Sequence, residues 1–237
     1  MKILDIQKQK AEWKRKGWSI PELRGGKQDW FALVVELICL IEKSSIADLS
    51  LSPILSSTGN AYPWRVYAPF LKGVGLVCNK SGVLSLSEIG LEFNSSPSHR
   101  YLANLLHDRY RLFGETLELF ESCSKTVEEV DKELCREYCL DWANSSNTRR
   151  RMDWLEVLGL IQSVGNRKWG LTQEGEQLLQ EWPLITPDVI DTTIGESEDI
   201  SISAPPFEIY ESLLALKENV SLQKKRNTYN IWAPSPN

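Results

Sequence analysis

Between Asp29 and Lys43 apolar residues fill almost every turn: Trp30, Phe31, Leu33, Val34, Leu37, Ile38 and Ile41 leave only a narrow polar edge, which predicts a buried helix. Further along, Arg65 to Val74 has helical spacing and ends in Gly75-Leu76-Val77. A second run, Arg149 to Leu158, ends in Gly159-Leu160-Ile161. The offset of 84 residues pairs Phe70 with Trp154, Leu71 with Leu155 and Val74 with Leu158. Downstream, Leu86-Ser87-Glu88-Ile89-Gly90 is answered by Leu171-Thr172-Gln173-Glu174-Gly175, one residue later than the offset requires. Turn signals separate these landmarks, Lys80-Ser81-Gly82 in the first copy and Gly165-Asn166 in the second. Each copy therefore predicts a β-hairpin after its helix.

Each copy reads as three helices, a hairpin and a Ser/Thr-capped segment. In the first copy, residues 28–97, a short second helix is expected within Ile46 to Ser56, against the opposition of Pro53 and several serines. Tyr62-Pro63-Trp64 opens the third. In the second copy, 114–183, Gly114 to Ser124 and Val127 to Trp142 are the first two helices. Asn144-Ser145-Ser146-Asn147-Thr148 is a turn dense in N-capping residues. The third helix begins at Arg149, Leu160 to Trp169 forms the hairpin, and Glu174 to Trp182 closes the unit. A helix over Ser98 to Leu112 bridges the copies, within 98–113. The rest divides into an N-terminal arm (1–27), a linker (184–206) and a C-terminal helix and tail (207–237).

That order, together with Thr148-Arg149-Arg150-Arg151-Met152-Asp153-Trp154-Leu155, Leu158-Gly159-Leu160-Ile161 and Leu171-Thr172-x-x-Gly175, resembles the recognition helix and wing of prokaryotic winged helix-turn-helix domains. It particularly resembles those attached to restriction and phage-defence proteins. The resemblance spans about 110–182 and is fainter over 28–97, where Pro69 and Gly73 interrupt the helix. It implies a mainly α fold with small β-hairpins, built as two tandem winged helix-turn-helix units. It also implies a DNA-binding or DNA-sensing subunit of a larger prokaryotic assembly, plausibly antiviral defence, partnered by an ATPase or nuclease subunit. Winged helices also bind proteins, so an adaptor like the kleisin-binding tandem winged helices, a stand-alone transcription regulator and a homodimer all stay open.

Charge redraws this picture. The 237 residues carry 27 Lys+Arg against 32 Asp+Glu, a net of −5, and the pI near 5.3 excludes coating DNA by bulk charge. The balance is uneven, at +5 over 1–27, −6 over 28–183 and −4 over 184–237. In the second copy Asn147, Thr148, Arg149, Arg150 and Arg151 head the third helix, where arginine can read guanine, asparagine adenine, and the helix N-terminus phosphate. Met152, Leu155 and Leu158 form its inward stripe, Arg149, Asp153 and Glu156 an outer one. Arg151 stands one turn before Leu155, at the edge of the core face. Arg167 and Lys168 in the hairpin suit flanking phosphate. The first copy offers Arg65, Lys72 and Lys80, and the arm offers Lys14, Arg15 and Lys16 beside Trp13 and Trp18. The arm can equally dock a partner or close over the protein. Against DNA, residues 115–141 hold nine acidic and three basic residues, and Arg149 with Asp153 can be a simple surface pair.

The C-terminal pattern Phe207, Tyr210, Leu213 and Leu214, followed by Trp232, has the spacing of a helix that docks on a protein partner, or folds back on its own chain. Five cysteines without Cys-x-x-Cys spacing read as small buried hydrophobes in a reducing cytoplasm. Two histidines give zinc little to bind. No catalytic motif is present, so neither catalytic residues, metal nor cofactor is expected. The apolar run Trp30 to Ile41 falls short of the ~18 residues a membrane span needs.

Overall fold

The apolar stretch at Trp30 folds as a single buried helix in a computed structural model of the protein, which describes residues 6–43, 66–80 and 83–187. These residues belong to one unit of the chain, Met1–Ile190; the second, Asp191–Asn237, lies outside them. The described chain is mainly helical with two small antiparallel hairpins. In order it runs α1 (Ile6–Arg15), α2 (Trp30–Lys43), α3 (Ala68–Gly73), β1 (Val77–Lys80), β2 (Val83–Leu86), α4 (Glu88–Ser95) and α5 (His99–Arg109). It continues through α6 (Phe113–Glu118), α7 (Val127–Glu137), α8 (Ser146–Val157), β3 (Ile161–Gly165), β4 (Lys168–Leu171) and α9 (Gln173–Glu181). The helices expected at Ile46 to Ser56 and from Tyr62 fall outside the described residues.

The internal repeat holds bond for bond. Gly75 and Gly159 take positive φ, 82° and 74°, to end α3 and α8, and each amide returns to the preceding turn, at Lys72 O and Glu156 O. Leu76 N donates to Leu71 O at 2.9 Å and Leu160 N to Leu155 O at 2.8 Å. Ser87 and Thr172 then perform the same two tasks. Each hydroxyl donates back to the glycine carbonyl, at 2.6 and 2.7 Å. Each caps the next helix by accepting from Gly90 N or Gly175 N, at 2.9 and 3.1 Å. The one-residue slip in the offset also has a physical cause. Lys80 pairs with Val83 in regular register, whereas β3 carries a bulge between Ser163 and Gly165, so Val164 is the extra residue.

The two copies pack on each other through equivalent positions. Phe70 stacks on Trp154 at 4.7 Å with 8° between the planes, and Trp30 closes on the same indole at 5.0 Å. All three are buried. Trp154 therefore widens the buried face of α8, lying next to Leu158 at the edge of the expected stripe of Met152, Leu155 and Leu158.

Several boundaries shift for identifiable reasons. α6 ends at Glu118 rather than Ser124, giving way to turns in which Phe120 N donates to Leu117 O and Glu121 N to Glu118 O before the chain passes beside the second hairpin. There Lys125 and Trp169 exchange both backbone hydrogen bonds at 2.9 Å. α7 starts at Val127 as expected, behind a capping box of Thr126 and Glu129. α8 begins three residues before Arg149, since Asn144 Oδ1 accepts from Ser146 N. None of the five cysteines is fully buried, which corrects their reading as core residues. No helix among the described residues is long and apolar enough to cross a membrane.

The N-terminal segment is docked rather than free. Trp13, Ile20 and Leu23 are buried, and Gly17 bonds both ways to the end of α5, with Gly17 N donating to Arg109 O and Arg111 N to Gly17 O. A polar anchor follows at Lys27, whose Nζ meets Glu156 at 2.5 Å and Asp153 at 3.4 Å.

Candidate nucleic-acid interface

Three arginines in a row open α8, and the helix sends them to three environments. Arg149 is exposed. Arg150 is half-buried, its Nη1 reaching Ile20 O at 3.4 Å. Arg151 is 0 % exposed; its guanidinium donates to Arg111 O through Nε and Nη2, to Trp18 O and to Asn147 O. Burial lowers its pKa to about 10, still charged at neutral pH, with Glu115 opposing the shift. Arg151 therefore cannot meet a ligand strand. Thr148 is equally buried, spending its hydroxyl on Asp131 at 2.5 Å and so tying α8 to α7. Both leave the set of candidate contact residues. Asn147 remains half-buried with Oδ1 near Ser19 Oγ, at 3.4 Å.

The outer stripe of α8 is only partly open. Asp153 and Glu156 pair with Lys27 instead of Arg149, and Glu156 also accepts from Trp169 Nε1 at 2.8 Å. Their negative charge, which would repel phosphate, is thus half compensated, one lysine against two carboxylates. Part of the acidity over 115–141 is compensated too: Lys125 pairs with Glu133 at 2.9 Å and Lys168 with Glu129 at 3.6 Å, while Glu115 is buried.

At the tip of the second hairpin, Gly165, Asn166 and Arg167 all take positive φ, at 92°, 51° and 56°. A two-residue turn of this kind favours Asn-Gly. This chain places an exposed arginine where glycine is favoured. Along β3 everything after Ile161 is exposed, Val164 at 53 %. β3 beyond Ile161 thus faces solvent, while β4 is half-buried against the body.

The remaining candidates are scattered. Lys14 and Arg15 are exposed at the end of α1, whereas Lys16 turns inward and donates to His107 O at 2.7 Å. Lys72 is exposed on α3. Lys80 ends β1, its side chain outside the described set. Arg65, Phe207, Tyr210, Leu213, Leu214 and Trp232 also lie outside the described residues. What the sequence did not reveal is Arg111, whose guanidinium lies between the rings of Trp13 and Trp18 at 5.1 and 4.7 Å; nothing in the residues around it signals that role.

Behind this surface lies a buried titratable cluster. His107 stacks on Trp182 at 4.5 Å, and burial, reinforced by the charge of Lys16, drops its pKa to about 3. The unfolded chain then binds a proton that the folded chain refuses, so His107 costs stability as pH falls from 6.5 toward 3. Burial raises Glu115, Asp108 and Glu118, which act with the opposite sign. The observable is therefore a difference. Between pH 7 and 5, His107→Phe should lose about 2 kcal/mol less than the wild type in urea melts, and parallel losses would contradict the assignment.

No protein-family profile matches the chain, and no curated protein matches it. Among solved structures, a chain of the restriction endonuclease FokI is similar, with a TM-score of 0.41 and 13 % identity over 70 % of this chain and 46 % of that one. This chain thus matches under half the length of that protein.

Proposed function

We propose that the chain binds duplex DNA through its second repeat, used as a winged helix. Arg149 and Arg150 at the head of α8 form one contact and Arg167 at the hairpin tip the other. In this reading the protein is a DNA-binding or DNA-sensing subunit of a larger prokaryotic assembly. The order α6, α7, α8 and hairpin, with Lys125 as a third strand position beside Trp169, supports the winged-helix reading.

The observation that carries it is Arg167. A left-handed backbone costs a non-glycine residue roughly 1 kcal/mol, and strain of this kind collects where a side chain is used. Arg167→Gly separates the two effects. The variant should melt at a higher temperature, gaining up to about 1 kcal/mol, while its duplex affinity falls. Its slope of log affinity against log salt should be shallower by about one unit. A stabilised variant that binds as tightly as wild type, with the same slope, refutes the contact.

A second reading has its own observation. Lys27 covers the C-terminal half of α8's outer stripe through Asp153 and Glu156, leaving a helix less open than a groove reader needs. A protein-binding adaptor fits that arrangement, and it predicts no duplex binding at low salt.

A further inference from the structure

The N-terminal segment brings two half-buried tryptophans together at the head of α8. Trp18 and Trp142 meet edge to face, ring centres 6.4 Å apart at 88°. Each is backed by an arginine, Arg111 at 4.7 Å from the Trp18 ring and Arg151 at 5.2 Å from that of Trp142. Trp13 closes on Trp18 from another side, at 5.5 Å and 86°. Both arginines are anchored, Arg111 on Trp13 O and Arg151 on Trp18 O. The rings are therefore held in place before any ligand arrives, and a group stacking on them loses little further conformational freedom.

Basic residues lie on the segments that carry or adjoin the pair. Lys14 and Arg15 are exposed at the end of α1, just before Trp18, and Arg150 reaches the carbonyl of Ile20, two residues beyond it. Arg149 is exposed on the same turn of α8. Asn147, hydrogen-bonded to Ser19, sits between the two segments. The exposed carboxylates flanking the pair in sequence are Asp141 and Glu22. Cations on the adjoining segments beside two pinned aromatic rings are the chemistry that grips a single nucleic-acid strand, backbone by charge and bases by stacking.

We infer that Trp18 and Trp142, with Lys14, Arg15, Arg149 and Arg150 on the adjoining segments, form a stacking platform for unpaired bases of a DNA strand. This rests on the reading that this face meets DNA, and it names the form of DNA that the platform selects. Duplex keeps its bases stacked inside and cannot use it.

Three labelled probes at low salt test the platform on the full chain: oligo(dT), an abasic oligonucleotide with the same number of phosphates, and a duplex of the same length. The abasic probe should bind roughly tenfold or more weakly than oligo(dT), the loss expected for removing base–aromatic stacking. Trp142→Leu, which leaves the hydrogen bonds of Arg151 in place, should bring oligo(dT) down to the abasic level. If that variant unfolds, the comparison between probes still decides, because it uses wild-type protein. Equal binding of oligo(dT) and the abasic strand overturns the platform, as does no binding of either. Duplex binding that depends on Arg149 and Arg167, alongside equal single-strand affinities, leaves the proposed function standing and removes only this inference. Base-dependent single-strand binding without duplex binding does the reverse.

Discussion

Arg151→Ala should destabilise the protein by about 4 kcal/mol in chemical denaturation, far more than truncating either neighbour. The guanidinium supplies four hydrogen bonds to three carbonyls, Trp18 O and Arg111 O from distant parts of the chain and Asn147 O one turn earlier in α8. Truncation removes all four donors at once, and each buried acceptor left unsatisfied costs roughly 1–3 kcal/mol. The cavity adds to this. It also withdraws the positive charge that opposes the upward shift which burial imposes on the Glu115 carboxyl. Arg151→Met, which fills the space without restoring donors, should recover only the cavity part. Arg149→Ala should stay within about 0.5 kcal/mol of wild type, as surface changes do. A small effect at Arg151 would mean that the N-terminal segment is not held by this side chain.

Gly90→Ala and Gly175→Ala should each cost about 3 kcal/mol, by the same mechanism in both copies. A Cβ on Gly90 would stand 2.0 Å from Leu76 O, and one on Gly175 2.3 Å from Leu160 O. Neither carbonyl is free to retreat, because each accepts from the N-cap residue of the following helix, Ser87 N or Thr172 N, at 3.1 Å. The helix itself must move away, and overpacking of that kind costs a few kcal/mol. Gly17→Ala is the matched control, since its new Cβ would lie at ordinary contact distance, 3.5 Å from Tyr110. Urea midpoints of the three variants check the expectation. Similar losses at Gly90 and Gly175 with none at Gly17 agree with it, whereas a large loss in one copy alone would break the equivalence of the repeats.

The repeat was legible in the residues because its signals are local. A glycine that must take positive φ, a hydroxyl that caps and a glycine too close to a carbonyl for any side chain recur at fixed spacing. Even the slip from 84 to 85 was visible before its cause, the bulge at Val164. The fate of the three arginines was only half legible. Helical spacing puts Arg151 at the edge of the core face, but its partners lie 133 residues away at Trp18 and 40 away at Arg111, beyond the reach of any local pattern. The same applies to the arm. A net charge of +5 over 1–27 describes its side chains, while its course is decided by Trp13, Ile20 and Leu23, which bury themselves whatever the charge around them. Helix–groove binding was read from α8 as an isolated element, and tertiary packing then covered half of it.

Phe70 and Trp154 occupy the same place in their respective copies, yet they touch each other. In an assembly of two identical subunits, only residues on the two-fold axis meet their own counterparts. This stack thus places equivalent residues of the two copies in contact, as a residue on a dimer axis would be, within one polypeptide. Joining the halves covalently replaces a concentration-dependent encounter with an intramolecular one. It also releases the halves from identity, so one can keep a regular hairpin while the other strains an arginine into its turn.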